Sequence, residues 1–307
     1  MDNRYISLEW RPELERPVLI AAFTGWNDAA EAASVALAAL RDSWEARNFG
    51  VFDAEEFFDY QAARPRIRLV EGVTRTIEWP ENQLAATAPS LESAGGRGAG
   101  LLSGPEPSFR WRSFCAAVID LARELNVELV GTMGALLADV PHSRPVSVAA
   151  NSQDPALVES LGLSASRYEG PTGITGVLHR ACAEASLSSV SFWAPVPHYL
   201  PAIPSAPAAL ALLESLSALL RMEVDTSTLE RGAAAYQEQV SAAVSQDSDL
   251  TSYVRMLEDR YDSEADQGPR DLPTGDDLAR ELENFLRDER RDEESLQVSG
   301  GRLQPSC

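Results

Sequence analysis

The first strong pattern in the chain is an unbroken apolar run at residues 18–23, after Pro17 and before Thr24-Gly25-Trp26-Asn27. A run of this length between turn residues predicts a strand buried on both faces. The Ala/Leu periodicity that follows predicts a helix whose start is capped by Asn27 or Asp28. Together they read as the opening β-α unit of an α/β fold. The aromatic cluster Phe49, Phe52, Phe57, Phe58 and Tyr60 predicts core and rim packing, with a subunit interface as the alternative. Apolar residues then alternate at Ile67, Leu69, Val73, Ile77 and Trp79 around Glu71-Gly72, which is a hairpin signature. Residues 84–100 are small, Gly-rich and aperiodic, and predict a flexible loop.

Helical spacing returns at Phe114, Val118, Leu121 and Leu125, and strands alternate with helices over most of residues 17–200. This predicts a three-layer α/β/α sandwich around a mostly parallel or mixed sheet. From Ser205 the pattern becomes helical only. Pro207 fits a first turn, Ser227 and Glu230 have capping-box spacing, and amphipathic segments cover residues 250–260 and 278–290. The expected organisation is an α/β core at 1–222, a helical extension at 223–292 and a disordered tail at 293–307.

Composition changes the picture in three ways. All 26 basic side chains are arginine, so Schiff-base chemistry, a Walker A loop and a protein-kinase site are excluded. The 47 acidic residues leave a net charge of −21, which opposes binding to nucleic acid or an anionic membrane surface. Cys115, Cys182 and Cys307 lie far apart, and the N-terminus lacks an apolar signal core. Both features predict a cytoplasmic protein with reduced thiols.

Candidate chemistry gathers at strand ends, where ligands of α/β sheets bind. Four segments qualify: Thr24-Gly25-Trp26-Asn27-Asp28, Gly131-Thr132-Met133-Gly134-Ala135, Gly170-Pro171-Thr172-Gly173 through Gly176, and Pro195 through His198 and Tyr199. Helix N-termini at the first and third could hold an anion, although Asp28 would repel one. Glycines that only permit tight turns are the plainer reading. Asp139, His142, Ser143 and Arg144 lie within six residues. A catalytic reading makes His142 a base oriented by Asp139, whereas the structural reading makes the segment a proline-bounded loop meeting its neighbours. The latter is favoured, because residues so close in sequence seldom form a triad. No zinc spacing, GxSxG elbow or GxGxxG fingerprint is present, so neither cofactor nor metal is expected.

The segments LIAAFTGWNDAAEAASVAL, GTMGALLADVPHSRPV, EGPTGITGVL and SFWAPVPHYL, with IRLVEGVTRTIEWP and LLSGPEPSFRW, resemble the proteasome assembly chaperone two family in its actinobacterial branch. The resemblance covers roughly residues 17–220. It implies an α/β/α fold similar to nucleoside phosphorylases, self-association with a trimer preferred, and a role near proteasome subunits. It supplies no agreed catalytic residues. The expected function is therefore a non-enzymatic oligomeric interaction protein, acting as an assembly chaperone or in quality control. The alternative is a nucleoside-like small-molecule enzyme or sensor working at the strand-end loops.

Overall fold

The computed structural model describes residues 4–70, 74–87, 97–165 and 168–266 of the chain. The elements run β1 (Ile6–Leu8), β2 (Val18–Thr24), α1 (Ala32–Ser43), β3 (Arg47–Phe52), α2 (Ala54–Phe57), β4 (Arg66–Val70), β5 (Thr74–Glu78) and β6 (Gln83–Ala86). They continue with β7 (Ala99–Pro105), α3 (Trp111–Glu124), β8 (Leu129–Ala138), β9 (Ala149–Ser152), α4 (Pro155–Ser160), β10 (Ser164–Ala165), α5 (Ile174–Glu184) and β11 (Ser189–Pro197). Three helices close the series: α6 (Ala206–Leu220), α7 (Ser227–Val244) and α8 (Ser248–Asp266).

Among the described residues nine strands form one mixed sheet, ordered β1-β3-β6-β7-β2-β8-β11-β9-β10. Its centre, β7-β2-β8-β11, is parallel throughout. Antiparallel pairs flank it through β6 on one side and β9 on the other. The pleat explains why β2 reads as a continuous apolar run. Val18, Ile20 and Ala22 face a core built with α1 and α6, while Leu19, Ala21 and Phe23 face a second core with α3 and α5. The expected three-layer α/β/α sandwich with a mixed sheet is therefore the observed one.

Phe49, Phe52 and Phe57 of the aromatic cluster belong to the second core, while Tyr60 is only half-buried. Phe52, Phe57 and Phe114 pack at centroid distances of 4.5–6.1 Å, and Phe49, Phe52, Phe57 and Phe58 are buried. The ends of the expected 84–100 loop are strand, because Leu84–Ala86 pair with β7 and Ala99–Gly100 pair with β2. The Glu71-Gly72 turn, residues 88–96, the 278–290 segment, the 293–307 tail and Cys307 lie outside the described residues. The chain divides into two units at Tyr261. The second, Asp262–Cys307, is described only through Asp266, as the last turn of α8.

Candidate functional site

Strands β7, β2, β8 and β11 run in one direction, so their carboxyl ends meet at a single edge of the sheet. At the first loop Gly25 has φ 120°, a conformation that glycine adopts without strain. Asn27 offers its carbonyl to the Ala135 amide at 2.8 Å and so fastens the loop to β8. The cap position of α1 falls at Glu31 and not at Asn27 or Asp28, because a 3-10 turn intervenes. The Asp28 carboxylate still serves the first turn of the helix from upstream. Its Oδ1 accepts from the amides of Ala33 at 2.7 Å and Ser34 at 3.2 Å. A short 3-10 turn, Ala29–Glu31, lies between, with Ala30 and Glu31 at φ 50° and 55°. Burial raises the Asp28 carboxyl above its ordinary value, against the hydrogen bonds that favour its charged form.

The α5 N-terminus, expected as an anion site, is already occupied by a carboxylate from the same chain. Glu106, just after β7, accepts from the Ile174 amide at 2.7 Å and from Asn27 Nδ2 at 2.7 Å. A β-carbon at Gly173 would collide with the Asn27 amide and the Glu106 carboxylate, so this glycine admits both. Sequence reasoning missed Glu106. Its only signal is a lone acid between Pro105 and Pro107 at a strand end. Along the rest of the third segment, Gly176 leaves room for the Thr172 hydroxyl, and Gly170 lies against the Tyr168 ring.

The second segment corrects the expectation. Gly131, Thr132 and Gly134 do not form a loop but lie inside β8, Gly131 and Thr132 paired on both sides by β2 and β11 and Gly134 paired with Trp193 of β11. The glycines permit close packing: an added β-carbon would stand 2.8 Å from Ile20 Cδ1 at Gly131 and 2.7 Å from the Trp193 ring at Gly134. Thr132 is fully buried. Its hydroxyl, with Asn27 Oδ1, Asp28 Oδ2 and the Thr175 hydroxyl, has no hydrogen-bond partner among the described residues. Pro195 and Pro197 likewise belong to β11, with His198 following it.

The Asp139–Arg144 segment is not a catalytic triad. Asp139 turns to His198, Oδ1 to Nδ1 at 3.1 Å, instead of orienting His142. His142 is buried between Tyr199 Oη at 2.9 Å and Ser241 Oγ at 3.1 Å, and burial lowers its pKa. Arg144 meets Glu258 of α8 at 3.3 Å, a carboxylate that Ser143 also bonds. The Tyr261 hydroxyl donates to the Pro145 carbonyl at 3.0 Å. The loop is thus the seat of α7 and α8. His179 is held by Ser189 Oγ at 2.9 Å. Among the described residues no three His, Cys, Asp or Glu side chains converge to hold a metal. No helix there is long and apolar enough to cross a membrane.

Beside the exposed Asp139 and His198, this edge exposes apolar side chains. Trp26 follows β2, Phe109 follows β7, Leu136 and Leu137 lie near the end of β8, and Ile203 follows β11. All five are exposed, Trp26 by 61%. β3 runs with β7, because each pairs antiparallel with β6. The connection from β3 to β6 therefore leaves from and returns to the same edge. It carries the expected hairpin, β4 paired with β5, with Ile67 opposite Ile77 and Leu69 opposite Arg75. All ten strand residues are exposed, and Trp79 at the base stacks with Tyr60 at 4.9 Å. A two-stranded hairpin with neither face covered is marginal in water.

The PAC2 family model matches residues 22–244. Among solved structures, a proteasome-assembly chaperone homologue of Mycobacterium tuberculosis is 42% identical, covering 77% of this chain and 99% of that one at a TM-score of 0.70. A PAC2 family protein from Streptomyces avermitilis is also 42% identical, covering 78% and 99% at a TM-score of 0.69. An archaeal proteasome activator from Pyrococcus furiosus, at 17% identity, 78% and 97% coverage and a TM-score of 0.63, shares the fold. Among curated proteins none matches the chain significantly.

Proposed function

The chain belongs to the PAC2 family, and from that premise we propose that it is a homo-oligomeric interaction protein without chemistry of its own. Its role is that of an assembly chaperone or quality-control factor in the cytoplasm. The carrying observation is the apolar carboxyl edge of the sheet: Trp26, Phe109, Leu136, Leu137 and Ile203 beside an uncovered hairpin. Exposed apolar side chains gathered at one end of the parallel strands favour an interaction site there. The hairpin adds charge complementarity, since Arg66 and Arg75 sit in a chain of net charge −21 and suit the acidic surface of a second copy, while Arg68 is paired with Glu78 of the same hairpin at 2.6 Å. A trimer is the preferred stoichiometry, and proteasome-related proteins are the preferred clients, the latter following the description of the mycobacterial relative. Residues 223–292 are proposed as a helical extension.

A nucleoside-like ligand at the strand-end loops is the weaker reading. In its favour stand the unpartnered Asn27, Asp28, Thr132 and Thr175 oxygens. Against it stands Glu106, whose carboxylate takes the Ile174 amide that an anion would need. A photo-crosslinking residue placed at Ile77 tests the proposal. Irradiation at micromolar concentration is expected to join the hairpin to a second copy of the chain. Only unjoined chain after irradiation would overturn the proposal.

A further inference from the structure

The opposite edge of the sheet, where β8 and β11 begin, holds a cleft of about 630 Å³ whose rim carries Arg16, Arg97 and Arg221. We propose that this cleft binds a mononucleotide-sized oxyanion, a phosphate or carboxylate borne on an apolar or aromatic body. The site is separate from the apolar carboxyl edge and does not depend on the assembly reading.

Four observations converge. First, three arginines gather at one cleft in a chain of net charge −21, where chance favours acidic neighbours. Second, the two acids beside them are already engaged. Glu128 is shared between Arg16 Nε at 3.2 Å and Arg97 at 2.9 Å, and Asp154 Oδ1 accepts from the Ala156 amide at 3.0 Å at the start of α4. Among the described residues Arg221 has no ion-pair partner, and with three guanidinium groups against two carboxylates the rim remains cationic. Arginine forks match phosphate and carboxylate oxygens in pairs, which a point charge does not.

Third, two of the three arginines occupy backbone that an L-residue resists. Arg16 has φ 41° and Arg221, at the C-cap of α6, has φ 55°. Glycine is the ordinary occupant of such a helix end. Arginine there is unfavourable for the fold alone, although among the described residues Arg110 and five other non-glycine positions outside the cleft also have positive φ. Fourth, Leu129, Leu157 and Leu219 line the cleft together with Ser152, Gln153, Ser188 and Ser189, and its volume lies in the range of small-molecule sites. A lining that mixes cations, hydroxyls and apolar side chains fits a charged group on a carbon framework better than a bare ion.

The backbone geometry also supplies the test. Arg16→Gly and Arg221→Gly remove a guanidinium where glycine is conformationally preferred, so folding is preserved while the charge is lost. Isothermal titration of the full chain would use AMP and octanoate as probes, pyrophosphate as a bare anion and adenosine as an uncharged control. AMP or octanoate is expected to bind more tightly than pyrophosphate, with adenosine silent; the tighter of the two identifies phosphate or carboxylate as the source. Each glycine variant should weaken binding at least tenfold with an unchanged or raised Tm. Arg97→Gln, outside the left-handed positions, should do the same and covers the case of a glycine variant that fails to fold. No binding of either organic anion at millimolar concentration would overturn the proposal. So would equal binding by the double variant Arg16→Gly/Arg221→Gly, or binding of adenosine as tight as that of AMP.

Discussion

Replacing Asp28 perturbs the most heavily used side chain of the first strand-end loop. Its Oδ1 serves two backbone amides at the start of α1, and the Ala33 amide among them is buried. Loss of a capping acceptor costs about 1–2 kcal/mol, and the stranded buried amide adds about 1 kcal/mol. Asp28→Ala should therefore destabilise by about 2–3 kcal/mol, a Tm fall of about 4–12 °C for a domain of this size. Asp28→Asn keeps an acceptor and should cost less. The two also differ with pH. Burial raises the folded-state carboxyl pKa above its unfolded value, so the native state retains a proton that the unfolded chain has released. That contribution is complete below the unfolded pKa, near 4, and is lost as pH rises through the folded pKa. The neutral Asp28→Asn side chain feels none of this, so the variant should gain on the wild type between about pH 4 and 7. Urea unfolding of all three proteins at those two pH values measures both effects. Asp28→Ala within about 0.5 kcal/mol of wild type would refute the capping argument. An Asp28→Asn difference that is flat, or moves the other way with pH, would refute the burial argument.

Gly134→Ala forces a methyl group to within 2.7 Å of the Trp193 ring; it should cost about 1–3 kcal/mol and alter the near-UV dichroism of that tryptophan. His142 should make the seating of α7 acid-sensitive. Its lowered pKa means that the folded state holds it neutral, so stability is lost as pH falls from about 6.5 toward the folded value. The protection factors of α7 amides, which remove the intrinsic pH dependence of exchange, should fall over that interval in the wild type, and His142→Gln should remove that pH step. Burial pushes the Cys115 and Cys182 thiols up to about 12 and about 11. Both should be inert to a thiol reagent at pH 8 in the native protein and react promptly in urea.

The elements that sequence alone disclosed were those governed by local patterning. The β2 run, the α1 periodicity and the β4–β5 alternation each follow from which faces the residues bury or expose. The errors came from long-range partners. Gly131 and Gly134 look like turn residues until Ile20 and Trp193 press against them from neighbouring strands. Glu106 meets Asn27 and Ile174 across 79 and 68 residues, separations that no spacing rule reaches. Asp139 and His142 show the converse, since closeness along the chain did not bring them together. Pro141 lies between them, and their partners come from beyond β11: His198 for Asp139, and Tyr199 with Ser241 for His142. The exposed edge was half legible. Its hairpin was foreseen, but the convergence of Trp26, Phe109 and Leu136 upon it requires the strand order.

The central claim, that this edge assembles copies of the chain, is most directly tested by light scattering at micromolar concentration. The wild type should give a mass near three times the 33.3 kDa chain. Ile67→Asp/Ile77→Asp, which places charges on the hairpin face without touching either core, should give the single-chain mass. A wild type that scatters as one 33.3 kDa species would contradict the account, and so would a hairpin variant that keeps the wild-type mass.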